Sequence, residues 1–294
     1  MKPSLTHREL LTQPESWRRA AHAASSATGL PVPGERVAVT GCGTSWFMAQ
    51  AYAALREAAG QGETDAFAAS EFPRGRAYDR VVAITRSGTT TEVLRVLAAA
   101  GGTPTLAITA DPKTPVMDAA TEVAVLDWAD EESVVQTRFA TTALAFLRAG
   151  LSPSGAAVVA DEAERALSAP LPAAVVEAEQ WTFLGAGWAY GLAQEAALKM
   201  REAAGAWTEA YPAMEYRHGP VAIAGPERVV WSFGPLPEGL AGEVAATGAT
   251  LVADGGDPMA DLVRAQRLAV AVAESRGLNP DAPRHLTRSV VLSG

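Results

Sequence analysis

The sequence predicts an α/β fold made of two similar halves, each with a parallel β-sheet between layers of helices. Short runs of apolar and β-branched residues alternate with longer amphipathic segments along most of the chain. This alternation is typical of parallel strands joined by crossover helices. A strand-like run followed by a Gly-x-Gly turn occurs twice, at residues 37–43 and 181–187. We therefore expect a duplicated α/β unit.

The first half contains four predicted strands, which lie at residues 36–40, 81–85, 105–109 and 123–126. Helical patterns follow the first two strands and end near Ala59 and Ala100, and another runs from Arg138 to about Gly150. A Ser-, Pro- and Gly-rich stretch at residues 151–155 then breaks the pattern, and prolines recur at positions 170 and 172. We expect the domain boundary in this region.

The second half repeats the first imperfectly. Further strands are predicted at residues 228–233 and 250–253, and a last long helix at residues 261–276. Two prolines, at positions 235 and 237, stand where the first half has hydroxyl side chains. Only the first half is therefore expected to have a phosphate-binding turn.

Length, charge and cysteine content exclude several classes of protein. A chain of 294 residues favours two domains, and its formal net charge of −9 argues against a general nucleic-acid surface. No apolar run is long enough for a membrane span, and the first residues lack a secretory signal. The single Cys42 excludes an intrachain disulfide, and four scattered histidines predict no metal site. We expect a cytoplasmic protein.

The turn at residues 85–90 places four hydroxyl side chains and a glycine between a strand and a helix. Gly88 lets the backbone fold closely around an anion, and the helix start offers free N–H groups and a positive dipole end. Helix capping competes with this interpretation but explains only one or two of the hydroxyls. The pattern therefore favours phosphate binding. The hydroxyls belong to Thr85, Ser87, Thr89 and Thr90.

The Gly-x-Gly turn of the first half resembles a dinucleotide-binding loop only in part. Trp46 stands at the third glycine position and no acidic residue ends a clear second strand, so a nicotinamide cofactor is not favoured. Thr44 and Ser45 begin the next helix, where we expect them to join Ser87 and Thr90 around one phosphate. Helix capping remains the alternative for Thr44.

Charged residues in the second half share one face of a predicted helix. Glu195, Lys199 and Glu202 are spaced by four and three residues. Spacing alone favours a salt-bridge ladder on an exposed surface. The helix follows the second Gly-x-Gly turn, however, and open α/β sheets bind ligands at the carboxyl ends of strands. Together with the imidazole of His218, which titrates near neutral pH, this position favours proton-transfer chemistry.

Taken in order, these motifs resemble paired sugar isomerase (SIS) domains, as in the isomerase half of glucosamine-6-phosphate synthase and its stand-alone relatives. The resemblance covers nearly the whole chain. It implies an N-terminal arm at residues 1–20 and two flavodoxin-like SIS domains at residues 21–155 and 165–294. The matching segments are Glu9 with residues 13–14, and residues 41–45, 70–72, 85–90, 136–138, 195–202, 209–211, 215–220 and 283–290.

The resemblance also implies the roles of individual residues. Glu202 would move a proton between sugar C1 and C2 with help from Lys199. His218 would open the sugar ring and would come from the neighbouring subunit of a homodimer. Thr44 and Arg288 would lie elsewhere in the substrate site, and no metal or cofactor is required. The sugar phosphate would be surrounded by Ser45, Thr85, Arg86, Ser87 and Thr90.

Three departures from the synthase pattern shape the expected activity. Arg86 stands where the synthase has Gln, and Arg288 replaces a lysine that forms a Schiff base, a step that a permanently charged guanidinium does not support. The third departure is the absence of a glutaminase domain, so we do not expect synthesis from glutamine.

The expected activity is that of a glucosamine-6-phosphate deaminase, releasing ammonia and a ketose phosphate. A plain aldose–ketose phosphosugar isomerase and a fructosamine-phosphate deglycase stay open as alternatives. A non-catalytic sugar-phosphate sensor is an alternative of another class. No nucleic-acid or membrane partner is expected.

Overall fold

A computed structural model describes residues 3–152 and 156–292. The chain divides into two compact units, which we name by their sheets. The five-strand unit comprises Glu15–Glu132, Gln136–Ala157 and Thr287–Gly294. The four-strand unit comprises Met1–Pro14, Ser133–Val135 and Val158–Leu286.

The sheet of the five-strand unit is entirely parallel, with strand order β2-β1-β3-β4-β5. Every residue of the first and fourth strands is buried, because helices cover both faces. The chain moves outward in opposite directions from β1 and β3, so a topological switch point lies between the carboxyl ends of these two neighbours. The strands are β1 (Val37–Gly41), β2 (Thr64–Ala68), β3 (Arg80–Ile84), β4 (Thr105–Thr109) and β5 (Glu122–Val125).

The four-strand unit repeats this path with one strand fewer, in the parallel order β7-β6-β8-β9. Among the described residues its last strand pairs with one neighbour only, whereas the corresponding β4 has two. The expected fold class, two α/β units each with a parallel sheet between helices, is confirmed. The strands are β6 (Gln180–Gly185), β7 (Thr208–Pro212), β8 (Arg228–Phe233) and β9 (Thr250–Val252).

Helices connect the strands and cover the sheets. Within the part of the chain that the structure describes, no helix is long and apolar enough to cross a membrane. The described α-helices are α1 (Leu5–Leu10), α2 (Gln13–Ala24), α3 (Thr44–Ala58), α4 (Thr91–Ala99), α5 (Val116–Ala119), α6 (Arg138–Leu151), α7 (Ala156–Ser168), α8 (Ala173–Val176), α9 (Ala189–Ala204), α10 (Leu240–Thr247) and α11 (Pro258–Ser275).

Several element boundaries differ from the sequence-based ones. The final helix α11 begins three residues earlier than expected, because the Asp257 carboxylate caps it by accepting from the Met259 N–H at 2.9 Å. Helix α6 continues to Leu151, so the break expected at 151–155 starts one residue later, and residues 153–155 lie outside the described part of the chain.

Each end of the chain belongs to the unit that is formed mainly by the other half of the sequence. The Asp281 carboxylate accepts from the N–H groups of Leu5 and Thr6 at 2.6 and 2.9 Å, which ties α1 to the four-strand unit. Residues from Thr287 onward belong to the five-strand unit. The domain bounds expected at 1–20, 21–155 and 165–294 stay predictions. Those bounds do not include the assignment of the first segment to the four-strand unit and of the last segment to the five-strand unit.

Candidate active site

The turn after β3 has a backbone that only glycine accommodates at its centre. Gly88 has φ +62°, and a Cβ on it would lie 2.0 Å from Thr114 Oγ1 and 2.7 Å from Val116 Cγ1. The turn closes through a bond from the Gly88 N–H to the Thr85 carbonyl at 3.3 Å. Glycine is therefore required here both for its conformation and for the close packing of the neighbouring loop.

The hydroxyls of this turn are not used for helix capping. Thr90 holds the cap position of α4, but its side chain makes no capping hydrogen bond. Thr85 is 3% exposed, and its hydroxyl oxygen has no hydrogen-bond partner among the described residues. A buried polar group without a partner costs about 1–3 kcal/mol. The alternative of simple capping is thus not supported for Thr90, and a ligand that accepts from Thr85 would remove this cost.

The start of α3 brings a second pair of hydroxyls to the same edge of the five-strand sheet. Thr44 and Ser45 are its first two residues and both are buried. Gly43 is the cap residue of α3, and it has no side chain that could cap the helix. A Cβ on Gly41 would lie 2.6 Å from Ser45 Cβ, so the glycine lets α3 begin directly against the end of β1. Since β1 and β3 are neighbours, both turns follow strand ends at the switch point.

Two arginines of the five-strand unit have partners within the protein. Arg86 is 2% exposed, and its Nη2 donates to the Arg288 carbonyl at 2.8 Å. The Arg288 side chain donates from Nη2 to Asp130 at 2.5 Å and from Nε to the Glu131 carbonyl at 3.1 Å. The Arg86 guanidinium, expected on the phosphate, therefore contacts the C-terminal segment with at least one nitrogen.

The charged residues of α9 form a buried cluster in the four-strand unit. Lys199 and Glu195 are 1% and 0% exposed, and the Lys199 Nζ lies 3.5 Å from Glu195 Oε1. The same ammonium donates to Glu202, whose side chain is 19% exposed. Spacing alone favoured a ladder on an exposed surface, and that interpretation is wrong. A lysine buried between two carboxylates is held by their opposite charge, since burying an unpaired ammonium is costly.

Glu202 lies beside a cavity of about 450 Å³ that is formed within the four-strand unit. Its position in the last turn of α9 is about 20 Å from the start of that helix. The neighbouring Arg201 donates to the Thr208 carbonyl at 3.2 Å, which places this turn beside the amino end of β7. The expectation that Glu202 lies at the carboxyl ends of the strands is therefore wrong. The cavity is also lined by Leu198, Gly205, Asn279, Arg284 and Leu286.

His218 lies beyond the carboxyl end of β7, whereas Glu202 lies near the amino end of that strand. It is exposed and ends a short 3-10 helix, Glu215–His218, that follows the carboxyl end of β7. Glu202 is near the amino end of β7, and a five-residue strand spans at least about 13 Å. Within one chain, His218 and Glu202 therefore do not reach the same substrate carbon.

Ser289 contacts the hydroxyl-rich turn at residues 85–90, a contact that was not predicted from the sequence. The Ser289 hydroxyl lies 3.0 Å from Ser87 Oγ and 2.9 Å from Thr89 Oγ1. No local pattern indicates this contact, because about 200 residues separate the partners; only the C-terminal motif of the SIS resemblance includes Ser289. In residues 3–152 and 156–292 there is also no group of three or more His, Cys, Asp or Glu side chains arranged for a metal ion.

The chain is similar in sequence to a group of bacterial and archaeal enzymes. It is 29% identical to the glutamine–fructose-6-phosphate aminotransferase (isomerizing) of Methanothermobacter thermautotrophicus, over 88% of this chain and 52% of that enzyme. The enzyme of the same name from Nostoc is 31% identical over 45% of this chain and 26% of its own length. The chain thus spans about half or less of the curated relatives it matches. No protein-family profile matches it.

Solved structures share its fold over almost its whole length. Glucosamine-6-phosphate deaminase from Thermotoga maritima superposes with a TM-score of 0.82 at 26% identity, covering 98% of this chain and 100% of that one. The C-terminal domain of glucosamine-fructose-6-phosphate aminotransferase from Francisella tularensis gives 0.81 at 22% identity, covering 96% and 99%. Tagatose-6-phosphate ketose/aldose isomerase from Escherichia coli gives 0.77 at 18%, covering 99% and 97%.

Proposed function

We propose that the chain is a phosphosugar enzyme that deaminates a 6-phosphorylated amino sugar, because it is similar in sequence to a glutamine–fructose-6-phosphate aminotransferase and to a solved glucosamine-6-phosphate deaminase. Glucosamine 6-phosphate is the proposed substrate, and ammonia and fructose 6-phosphate are the products. The whole-length similarity to a solved glucosamine-6-phosphate deaminase supports this choice over glutamine-dependent synthesis.

The observation that carries the proposal is the buried Lys199 between Glu195 and Glu202. Glu202 is the member of this cluster that is partly exposed and that lines a cavity. Its carboxylate is available to move a proton on a bound ligand, while the buried ammonium supplies positive charge beside it. Glu202 shares this ammonium with Glu195 and also lines the cavity, which supports catalysis over binding alone.

The proposed reaction uses these groups in order. His218 assists opening of the sugar ring, which gives an aldehyde at C1 and an amine at C2. Glu202 removes the proton from C2 and returns it at C1, while Lys199 stabilises the oxygen that becomes negative. The product of this step is an imine at C2. Water adds to C2 and ammonia leaves, which yields the ketose phosphate.

The phosphate is proposed to bind the turn of the five-strand unit. Support comes from the hydroxyl of Thr85 that lacks a partner, from the unused cap position of Thr90 and from the position of Ser45 at the switch point. Ser87 belongs to the same set, and Arg86 is proposed to act beside it. The anion would also interact favourably with the amino ends of α3 and α4.

A homodimer is part of the proposal. The separation of His218 and Glu202 along β7 supports a site that receives its imidazole from a second copy of the chain. We also propose a cytoplasmic location, because the proposed substrate is a sugar phosphate and sugar phosphates are metabolites of that compartment.

The decisive experiment incubates the pure protein with glucosamine 6-phosphate and measures ammonia and fructose 6-phosphate. We expect equal amounts of both products. Glu202→Gln should lower kcat about 100- to 10,000-fold, the usual contribution of a general acid or base, and should stop exchange of the C2 proton with solvent. Binding of the sugar phosphate should remain, because the substitution is nearly isosteric.

Product analysis also separates the alternatives. A ketose phosphate without ammonia from a plain aldose phosphate would favour an aldose–ketose isomerase. Release of an amino acid from a fructosamine phosphate would favour a deglycase. Binding of sugar phosphates without any proton exchange, across a panel of amino-sugar phosphates, would contradict the enzyme proposal and favour a sensor.

A further inference from the structure

The C-terminal segment of the five-strand unit lies on the candidate phosphate turn. Residues Arg288, Ser289 and Leu292 each make a hydrogen bond to residues 86–91. These contacts join parts of the chain that are about 200 positions apart in sequence. The segment is therefore a structural component of the turn that sequence proximity does not reveal.

Three hydroxyls meet at the point of contact. Ser289 Oγ lies 3.0 Å from Ser87 Oγ and 2.9 Å from Thr89 Oγ1, and Thr89 Oγ1 donates to Ser87 Oγ at 3.0 Å. Each hydroxyl has one proton to donate and accepts through its oxygen. The protons can point from one hydroxyl to the next, or they can rotate toward an anion placed beside the group. A phosphate dianion, which only accepts hydrogen bonds, would favour the second arrangement.

The backbone on both sides of Ser289 is held in place. Before it, the Arg288 carbonyl accepts from the buried Arg86 at 2.8 Å, and the Arg288 side chain is bound to Asp130. After it, the Leu292 N–H donates to Thr91 Oγ1 at 3.0 Å. A hydroxyl that is fixed on both sides loses little further freedom when it binds a ligand, which is the condition for an efficient contact.

We infer that Ser289 is a direct ligand of the substrate phosphate, and that Arg86 is a positioning residue that holds Ser289 in place through the carbonyl of Arg288. This inference rests on the proposed function, because it assigns a further residue to the proposed phosphate site. It also gives Arg86 a purpose other than a charge contact. The preference for phosphorylated over unphosphorylated sugars then depends on hydroxyls from both Ser87 and Ser289.

The test compares Ser289→Ala with Ser289→Thr, which keeps the hydroxyl, by calorimetric titration of the full chain. Glucosamine 6-phosphate and inorganic phosphate serve as probes, with unphosphorylated glucosamine for comparison. We expect the alanine variant to bind both phosphate probes about tenfold more weakly or worse, as for loss of one hydrogen bond to a charged group, with no change for glucosamine. The threonine variant should bind within about threefold of the wild type.

Val290→Ala is the matched control, since this exposed side chain follows Ser289 and has no polar group. Deuterium exchange at residues 287–292 distinguishes a ligand from a structural anchor. Weaker phosphate binding with unchanged exchange supports the inference, whereas weaker binding with a deprotected segment overturns it. Unchanged phosphate affinity in Ser289→Ala overturns the inference and leaves the proposed function intact. Failure of the wild type to bind either phosphate probe contradicts both.

Discussion

At the scale of single residues, burial decided what the charge pattern on α9 means. The spacing of Glu195, Lys199 and Glu202 is the same for a solvated ladder as for a buried cluster, so spacing alone favoured the commoner surface arrangement. Exposures of 0% and 1% for the first two place them in the interior. A buried cluster supports a chemical role for Glu202, whereas a salt-bridge ladder on an exposed surface would not.

Lys199→Met should destabilise the protein strongly. The substitution leaves Glu195 buried without the ammonium that compensates its charge, and breaking a buried ion pair on one side costs about 3–5 kcal/mol. Urea unfolding at pH 7.5 measures the change in free energy of unfolding. Glu202→Gln is the control and should change stability by about 1 kcal/mol or less, since its side chain is partly exposed. Equal stability of Lys199→Met and the wild type would contradict the ion-pair account.

Asp261 gives a dependence of stability on pH. Burial raises its pKa from 3.8 to about 6, although Trp231 Nε1 donates to it at 2.8 Å. A raised carboxyl pKa favours the protonated form in the folded state. Its stabilising contribution is therefore complete below pH 3.8 and is lost as the pH rises through about 6. We expect the wild type to lose up to about 3 kcal/mol relative to Asp261→Asn between pH 4 and pH 7.

Urea unfolding of both proteins at a series of pH values measures this difference. Asp254→Asn removes the more exposed carboxylate bound to the same Arg264 and controls for loss of an ion pair. A constant difference between Asp261→Asn and the wild type over the whole range would show that Asp261 keeps an ordinary pKa in the folded protein.

At the scale of elements, the sequence predicted strands with apolar or β-branched residues, including the edge strands β5 and β9, but it did not predict the edge strands β2 and β7. Strands β4 and β8 have the predicted bounds, because their residues are apolar or β-branched and almost all buried. Strands β2 and β7 were missed, since their sequences include Asp65 or Glu209 and most of their residues are only partly buried. Edge position, which follows from the whole topology, makes these polar residues acceptable.

One part of the candidate site could be predicted from local sequence patterns, and the rest depends on the folded path of the chain. The hydroxyl-rich turn was predicted because glycine and neighbouring hydroxyls are a local signal. The position of Ser289 on that turn depends on the folded path of the C-terminal segment. The location of Glu202 near the amino end of β7 also depends on helix length rather than on any motif.

Gly88→Ala should damage the phosphate turn more than its dihedral angle alone predicts. The new methyl group would need the same space as the Thr114 hydroxyl, in addition to the strain of a positive φ. We expect a loss of stability of about 2 kcal/mol or more and weaker binding of inorganic phosphate. Gly101→Ala is the matched control: φ is +60° and the space around it is open, so about 1–2 kcal/mol and unchanged phosphate binding are expected. Similar results for both variants would contradict the packing argument.

At the scale of the whole molecule, the proposed exchange of His218 between two copies of the chain has a quantitative consequence. Glu202→Gln and His218→Ala should each be inactive alone. If the two variants form mixed dimers freely, half of the dimers are mixed and each has one site with both native residues. Mixing equal amounts after mild dissociation should therefore restore about a quarter of wild-type deaminase activity. No recovery, with mixed dimers verified by mass, would contradict a shared site.

The missing fifth strand in the four-strand unit has a consequence for behaviour at high concentration. An outer strand that pairs on one side presents free backbone donors and acceptors, and such an edge is a template for unwanted pairing with other chains. Strand β9 has three residues, the fewest of any described strand, and Asp254 follows it closely in a loop with Gly255 and Gly256. Brevity and negative charge therefore protect this edge from aggregation, and an engineered extension of β9 would remove that protection.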